Sequence, residues 1–521
     1  MPIELLPLAA PTLLGIAALL AALQPGRRPR HVPALAEVAA FLALLAAIGT
    51  CALLVAGGPV TSPLLGSAGI GLSARIDAVS VTMLLLVSFV GWIVIRFTRT
   101  YLDGEARQGA FTGWLCAAVA AVLLLVQAGN LVQLVAAWIA TSMCLHRLLL
   151  FYAERPAARR AARKKALFSS IGGAAMLLAV ALMIAGTGTT DIATVIAAAR
   201  GGSLLVGVAP LLALAALLKS AQFPTHGWLT EVMEAPTPVS ALLHAGVINA
   251  GGFLLIRFAD VMLGAPGTLA VLAIVGGFTA IFGAAVMLTQ PAVKTSLAWS
   301  TVAQMGFMIL QCGLALFPLA LLHIVAHSLY KAHAFLASGN AVEQVAAIRR
   351  PGPVAVPSGA AVGRAFLAAL AIYAAIGALF GLTIGIEHKS AQAFTLGAIL
   401  VFGVAYLLAQ GFADKAPALL TRRTALYSAA TAFASFALQS VAEWLTRGTL
   451  PPPPLPGPLE WTLLALAVLS FGLVGVAQAL FPLWAMHPAA AGLRVHLSNG
   501  LYVNAALDRL LGGWRRPRTA A

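Results

Sequence analysis

Apolar runs of about 20 residues recur along the whole chain, and this feature constrains the fold more than any other. Each run can cross a hydrocarbon core of roughly 30 Å as an α-helix that rises about 1.5 Å per residue. We count about fifteen such runs, using that length as the criterion. Only 9% of the residues are charged, whereas a soluble domain carries about 25%. The sequence therefore predicts an all-α polytopic membrane protein with about 13–15 transmembrane helices.

Basic residues cluster in alternate loops, which predicts the orientation of the chain. Short loops rich in Lys and Arg stay in the cytoplasm, and the net charge is +16. We read residues 3–23 as a retained helix; the alternative is a cleaved signal peptide. An odd number of spans in a bacterial inner membrane, with a periplasmic N-terminus and a cytoplasmic C-terminus, places every basic loop inside. Because orientation explains the charge, nucleic-acid binding is disfavoured. The basic groups are Arg27, Arg28 and Arg30; Arg96, Arg99 and Arg107; Arg155, Arg159, Arg160, Arg163, Lys164 and Lys165; Arg349 and Arg350; Lys415, Arg422 and Arg423; and Arg515, Arg516 and Arg518.

A first cluster of polar residues begins at Lys219, which closes an apolar run. Pro224 follows and breaks the helix, and broken helices at membrane depth line protein-buried or wet cavities. One interpretation is a lysine that snorkels to the interface. The other is a functional site, because Glu231, Glu234 and His244 follow closely. A lysine, two carboxylates and a histidine within one re-entrant turn can pass a proton through intervening waters.

A second cluster contains His323, His327 and Lys331, at spacings of i, i+4 and i+8. At about 100° per residue the three side chains fall within roughly 80° of one helix face, along about 12 Å. A single buried histidine is usually structural, but three stacked titratable groups favour a relay. His333 lies on a different side of the helix and is expected to serve packing or a partner.

The sequence predicts no metal or cofactor site in this chain. The paired histidines lack the glutamate and the third ligand of a zinc site, and the four cysteines are far apart without a CxxC pair. The segment GTGTTD at 186–191 lacks the later glycine and lysine of a phosphate loop. We therefore expect a transport or energy-coupling subunit rather than an enzyme, powered by an ion gradient or by a partner.

Three segments resemble the antiporter-like subunits shared by respiratory NADH-quinone oxidoreductase and multisubunit cation/proton antiporters. They are KSAQFPTHGWLTEVMEAPTPVSALLHAG (219–246), QPAVKTSLAWSTVAQMGFMIL (290–310) and LLHIVAHSLYKAHAFLASG (321–339). The resemblance extends over about residues 77–340. It implies two inverted five-helix repeats, each supplying half of a conducting path. The predicted parts are N-terminal helices (1–110), a first repeat (111–260), a second repeat (261–415), C-terminal helices (416–486) and a cytoplasmic tail (487–521).

The resemblance assigns Lys219 to a broken seventh helix, His244 to the eighth and the relay to the eleventh. The predicted ion pathway consists of Lys219, Glu231, Glu234, His244, Lys294, His323, His327 and Lys331, with Asp77, His146 and Lys389 as accessory candidates. In the family a carboxylate of the fifth helix modulates the first lysine, but this chain has Ile139 there. His146 either compensates or is an interfacial histidine beside Arg147. The broken helix of the second repeat has no obvious lysine unless Lys389 serves.

A narrower resemblance points to the DabB family of membrane subunits of DAB inorganic-carbon accumulation complexes. It rests on Ile139, the stretch LHRLLLFY (145–152), the loop ERPAARRAARKK (154–165), the segment SLYKAHAFLASG (328–339) and the short tail. This resemblance implies a large cytoplasmic zinc-binding partner, DabA, similar to a β-carbonic anhydrase. Entry of H+ or Na+ through the membrane subunit would then drive one-way hydration of CO2 to bicarbonate in the partner.

Two other functions stay open at the level of sequence. One is a proton-pumping antiporter-like subunit of a respiratory or hydrogenase-linked complex, or of a cation/proton antiporter. The other is a membrane scaffold that no longer conducts ions and holds its partner through the basic loops and the tail.

Overall fold

The chain folds into a bundle of α-helices, as the apolar runs predict. The computed structural model describes residues 2–202, 207–340, 358–384, 390–411 and 418–511. Within these ranges twelve helical segments are long and apolar enough to cross a membrane, and Val208–Lys219 and Ala391–Tyr406 are shorter apolar helices. The all-α polytopic fold is thereby confirmed. Lys389 lies outside the described residues, and the arrangement in two inverted repeats stays a prediction.

The α-helices of the described ranges follow one another with short connections. They are α1 (Ala9–Ala22), α2 (Val32–Gly57), α3 (Ala78–Tyr101), α4 (Gln108–Val126), α5 (Leu131–Leu149), α6 (Pro156–Thr187), α7 (Ile192–Arg200), α8 (Val208–Lys219), α9 (Gly227–Thr230), α10 (Thr237–Ala245), α11 (Ala250–Arg257), α12 (Ala259–Leu263), α13 (Pro266–Met287), α14 (Val293–Gly313), α15 (Phe317–Leu336), α16 (Gly359–Ile384), α17 (Ala391–Gly411), α18 (Ala418–Thr446), α19 (Pro458–Ala479), α20 (Phe481–Trp484), α21 (Pro488–Ser498) and α22 (Val503–Leu510). Short 3₁₀ helices are Ile3–Leu8, Val232–Glu234, Val247–Asn249, Ala337–Asn340 and Gly500–Tyr502. The predicted limits after residues 110 and 260 fall inside α4 and α12 rather than in loops.

Four short strands occupy the loop between α2 and α3. β1 (Val60–Thr61) pairs with β4 (Arg75–Ile76), and β2 (Leu65–Ser67) pairs with β3 (Ile70–Leu72), both antiparallel. Ala68 and Gly69, which join β2 to β3, have φ of 51° and 76°. Two positive φ values in a two-residue connection are typical of type I′ hairpin turns, whose twist matches that of the strands.

The loops gather on two faces of the bundle. On the first, which we name the basic face, the amide of Gly109 donates to the carbonyl of Gly26 at 3.1 Å and Arg107 donates to the carbonyl of Phe151 at 3.2 Å. On the opposite face, the amide of Gly129 donates to the carbonyl of Ser73 at 2.9 Å. The basic loops that precede α2, α4 and α6 thus meet on one side, as their alternation predicts.

Lys164 and Lys165 do not belong to a loop, contrary to our assignment from sequence. Both lie inside α6 and are 3% exposed. α6 begins at Pro156, a residue favoured at the first helical position because its ring fixes φ and it needs no backbone donor there. The end of the basic segment, Lys164 and Lys165, is therefore helical and buried in the bundle.

Two helices are interrupted at positions that present polar residues. α8 ends at Lys219, and irregular backbone follows, with Ala221 at a φ of 50°; the predicted break before Pro224 is confirmed. α10 ends one residue before Gly246, whose φ and ψ of −125° and −75° stop the helix just after His244. Non-helical backbone at this depth is tolerated where it is buried in protein.

The helix pair α13 and α14 packs unusually closely. A Cβ atom added at Gly276, Gly283 or Gly306 would meet backbone atoms of the facing helix. Small residues allow the two backbones to approach closely. The resulting van der Waals packing holds the helices together in lipid, where no hydrophobic driving force acts between them. α15 packs against α14, α10, α11 and α3. Because α14 and α15 carry Lys294 and Lys331, this packing positions the second polar cluster.

Candidate ion pathway

Lys219 lies in a closed protein environment at the end of α8. Its side chain is 8% exposed, and its Nζ donates to Ser142 Oγ of α5 at 2.9 Å. The same Nζ lies 4.7 Å from the centre of the Trp138 ring. Trp138 and Ser142 are one turn apart on α5, so one helix face supplies both contacts. Lys219 is therefore held inside the bundle by a hydroxyl and an aromatic face, rather than reaching an interface.

Lys165 joins the same site, and the sequence analysis did not select it. Its Nζ donates to the backbone carbonyl oxygen of Ser142, and it interacts electrostatically with Lys219. The Ser142 hydroxyl thus accepts a hydrogen bond from one lysine, and the Ser142 carbonyl accepts one from the other. A signal existed in the sequence, since the helical pattern of residues 166–187 extends back without a break through Lys165.

Glu231 and Glu234 pair with basic residues of α6 and of the loop before it, and neither has a described contact with Lys219. Glu231 Oε1 accepts from Lys164 Nζ at 2.7 Å, and Lys164 also pairs with Asp508 of α22 at 2.7 Å. Glu234 pairs with Arg155 at 2.9 Å near the surface. The two glutamates therefore belong to ion pairs of the basic face, and their role in conduction stays a prediction.

The fifth helix contributes no carboxylate to this site. Ile139, at the position where the resemblance implies a carboxylate, is 37% exposed. His146 is half-buried and interacts with Lys165 of α6. This position places His146 beside Lys165, a lysine that the sequence pattern does not single out.

His244 anchors the second cluster. Its Nδ1 lies 3.0 Å from Thr301 Oγ1 of α14, and its ring stacks on Phe335 with centroids 4.4 Å apart. The Thr301 hydroxyl donates to the carbonyl of Leu297 at 3.0 Å, so its single proton is already used. We infer that His244 Nδ1 is the donor to Thr301. In neutral His244 the other ring nitrogen, Nε2, is then the basic one.

Lys331 and Thr301 donate to the same acceptor, the backbone carbonyl of Leu297. Its side chain is fully buried, and its Nζ donates to the carbonyl of Leu297 at 3.1 Å. Lys331 also interacts electrostatically with His244. One carbonyl oxygen therefore connects the lysine of α15, through Thr301, to the histidine of α10.

His327 and His323 continue the cluster along α15. His327 Nε2 donates to the carbonyl of His244 at 3.2 Å, beside the interruption at Gly246. The rings of His323 and His327 have centroids 6.0 Å apart. Within the described ranges, His323 Nε2 and His244 Nε2 have no protein hydrogen-bond partner. Buried polar atoms of this kind are commonly satisfied by water, which is the medium a proton relay needs.

Lys294 lies one turn before Leu297 on α14. Its Nζ donates to Thr237 Oγ1 at 2.9 Å, and Thr237 Oγ1 lies 3.1 Å from the Tyr101 hydroxyl. Lys294, the Leu297 carbonyl and Thr301 are spaced by three and four residues, so they follow one stripe of α14. This stripe links the basic face to Lys331 and His244. Thr237, Tyr101 and Thr301 were not selected from sequence, although Thr237 and Thr301 lie in the segments that carry the family resemblance.

Asp77 lies on the opposite face and forms a buried ion pair. Its carboxylate caps α3 by accepting from the amide of Ser80, and it accepts from Arg257 Nη1 at 2.6 Å and Arg75 Nε at 3.1 Å. Burial alone would raise the pKa of Asp77, but Arg257, the Ser80 amide and Arg75 outweigh it and hold the pKa well below its ordinary value. This arrangement joins α3 to α11; an accessory role for Asp77 in conduction stays a prediction.

A metal site is not visible in the part of the chain that the structure describes. No group of three or more His, Cys, Asp or Glu side chains is arranged there to hold an ion. On α15, the ring of His323 stacks with that of His327, and His327 Nε2 donates to the carbonyl of His244.

Two family matches cover most of this region. Residues 128–350 match the family described as "NADH:quinone oxidoreductase/Mrp antiporter, TM", and residues 64–112 match "NADH-Ubiquinone oxidoreductase (complex I), chain 5 N-terminus". Both clusters lie within the first of these matches. The resemblance inferred from the quoted segments is therefore confirmed.

Curated relatives narrow the family. The probable inorganic carbon transporter subunit DabB2 of Halothiobacillus neapolitanus is 38% identical over 466 residues, which cover 85% of this chain and 81% of that protein. The probable inorganic carbon transporter subunit DabB of Hydrogenovibrio crunogenus is 43% identical over 273 residues, 51% of this chain and 53% of that protein. NAD(P)H-quinone oxidoreductase chain 5 of a Synechocystis species is 33% identical over 286 residues, 53% of this chain and 42% of that protein.

Solved structures agree on the fold. The Mrp complex from Dietzia contains a chain that superposes with a TM-score of 0.64 at 23% identity, covering 98% of this chain and 59% of that one. A chain of an archaeal membrane-bound sulfane sulfur reductase gives a TM-score of 0.54 at 17% identity. Together with the long alignment to DabB2, these findings show that the chain belongs to the DabB family of antiporter-like membrane subunits.

Proposed function

We propose that this chain is the cation-conducting membrane subunit of an energy-coupled inorganic-carbon uptake complex. In this proposal H+ or Na+ enters through the subunit and supplies the free energy for one-way hydration of CO2 to bicarbonate. The hydration takes place in a large cytoplasmic zinc-binding partner similar to a β-carbonic anhydrase. The basic face is cytoplasmic, which puts the N-terminus in the periplasm and the complex in the bacterial inner membrane.

The observation that most supports conduction is the pair of buried cationic clusters. An ionisable group inside the membrane is expensive and marks an ion path by default. Lys219 and Lys331 are 8% and 0% exposed and have no carboxylate among their described contacts. A purely structural role would favour paired charges, as at Asp77. The link to inorganic carbon rests on the printed names of the DabB relatives.

Growth in air tests the carbon-uptake proposal. Deleting the gene should prevent autotrophic growth in air and leave growth at elevated CO2 intact, and the wild-type gene should restore it. A deletion strain that grows equally at both CO2 levels would refute the proposal. The complex purified from the complemented strain should contain a large soluble subunit with bound zinc.

Replacing the buried lysines separates conduction from scaffolding. Lys219→Ala and Lys331→Ala should each abolish bicarbonate accumulation while the partner still co-purifies, because the amines carry the ion and not the assembly. Unchanged uptake with intact assembly would instead favour a scaffold. Dissipating the H+ gradient and the Na+ gradient separately with ionophores identifies the ion.

A respiratory proton pump is the second candidate, favoured by the match to NAD(P)H-quinone oxidoreductase chain 5. It predicts co-purification with quinone-reducing subunits and quinone-dependent proton transport. The carbon-uptake proposal predicts neither.

A further inference from the structure

The site around Ser142 contains two buried amines, and among the described residues neither amine has a carboxylate partner. Lys219 Nζ donates to the Ser142 hydroxyl at 2.9 Å, and Lys165 Nζ donates to the carbonyl of the same residue. The two lysines come from different helices, α8 and α6, and α5 lies against α6, which in turn lies against α8. They are 8% and 3% exposed, so bulk water does not separate them.

The other titratable groups around this site do not neutralise it. α5 presents Cys144 and His146 to Lys165. On α6, Lys164 is turned to Glu231 and Asp508, which it pairs with at 2.7 Å each. Glu231 and Asp508 are therefore already paired with another lysine. α8 carries no further titratable side chain, and His244 of α10 belongs to the second cluster.

Two ammonium groups that face one serine repel each other strongly. Like charges at short range disfavour double protonation, and the effect grows as the surroundings exclude water. If both amines were neutral, no cation would face the Trp138 ring and the site would carry no charge. A pair coupled in this way titrates as one unit rather than as two independent groups.

We propose that Lys165 and Lys219 form one proton-storing unit around Ser142, in which the two amines hold a single proton between them. This inference rests on the proposed function and assigns H+ as the ion at this site. In the transfer step an N–H bond at one Nζ breaks as an N–H bond forms at the other, directly or through the Ser142 hydroxyl. The charge moves between α8 and α6, and no electrons are exchanged.

Substitution by arginine distinguishes proton storage from a structural role. Lys165→Arg keeps the charge and the donor to the Ser142 carbonyl, but a guanidinium does not give up its proton in proteins. A permanent positive charge at position 165 should keep the Lys219 amine unprotonated and lower proton flux by about tenfold or more. Lys164→Arg is the matched control, because it is the adjacent residue, equally buried, and can keep its ion pairs with Glu231 and Asp508; its flux should equal that of the wild type.

Lys165→Gln tests the coupling in the other direction. Removing the second amine removes the site for a second proton, so the acidic limb of the flux profile, where the wild-type pair takes up two protons and has no empty amine, should disappear. Flux is measured with a pH-sensitive dye in proteoliposomes that contain the full chain with its co-purifying subunits. Wild-type flux in Lys165→Arg, or a wild-type pH profile in Lys165→Gln, would overturn the inference.

A direct count of charged amines separates this inference from the proposed function. In the full chain, labelled with ¹⁵N-lysine and placed in nanodiscs, Lys165 and Lys219 together should give one ammonium signal at neutral pH. In Lys165→Gln, Lys219 should stay charged. Two ammonium signals from the pair would overturn the inference even if the wild type conducts. One signal without flux in the wild type would support the unit and refute conduction.

Discussion

The two cationic clusters of this bundle are built in opposite ways. Around Ser142, side chains of three helices converge on one point, where the two lysines bind atoms of the same residue. Around His244, the titratable groups follow α15 for about 12 Å, from His323 to Lys331, with α10 and α14 supplying partners. The first cluster concentrates charge, and the second distributes it.

This difference suggests a division of labour. A converged pair suits storage of one charge, since a second charge is repelled. An extended row suits passage, because each group is within water-mediated reach of the next. The second cluster also leaves ring nitrogens without protein partners among the described residues, whereas in the first cluster both amines are bonded.

Among the variants that compare the two clusters, the largest effect is expected at His327. His327→Ala removes the group between His323 and Lys331 and its bond to the His244 carbonyl, so proton flux should fall by about 100-fold, the lower range for loss of a proton-transfer group. Flux in proteoliposomes measures it. His333→Ala, on the same helix but exposed, should behave as the wild type; equal losses in both variants would mean that α15 is not a row of specific relay groups.

Trp138→Leu should lower flux about tenfold. The indole faces the Lys219 amine at 4.7 Å, and a desolvated cation–π contact contributes up to about 2 kcal/mol. Losing it makes the charged state of the first cluster rarer. Trp114→Leu removes a comparable contact with Arg147 at the surface and serves as the control. If both variants conduct normally, the aromatic face does not stabilise the stored charge.

Thr301→Val should lower flux about fivefold, because it removes a neutral hydrogen bond of about 1 kcal/mol. The hydroxyl orients His244 and connects it to the acceptor of Lys331, and valine preserves the shape of the side chain. Thr431→Val is the control, since that hydroxyl is exposed and bonds only within its own helix. Normal flux in Thr301→Val would remove α14 from the pathway.

Glu234→Gln should change least. The carboxylate pairs with Arg155, and both side chains are more than 40% exposed; exposed pairs contribute less than about 1 kcal/mol. Flux should stay within about twofold of the wild type, and the melting temperature should hardly move. A loss comparable to that in His327→Ala would place Glu234 in the ion pathway, as the sequence pattern predicts.

Some features of this protein follow from the sequence alone. The helical fold does, because lipid offers no hydrogen bonds and each apolar segment must satisfy its own backbone. The common face of His323, His327 and Lys331 does as well, since one helix with a fixed period of 3.6 residues carries all three. The break after Lys219 was readable from Pro224, a local signal.

The tertiary structure decided which groups meet. Lys165 reaches Ser142 across 23 positions of sequence, Lys219 reaches it across 77, and Lys164 pairs with Asp508 across 344. The sequence pattern instead suggested Glu231 as a neighbour of Lys219, because the two are close along the chain. A buried charge is stabilised by whatever donor, acceptor or ring the neighbouring helices bring to it, and helix packing, not sequence separation, determines those neighbours.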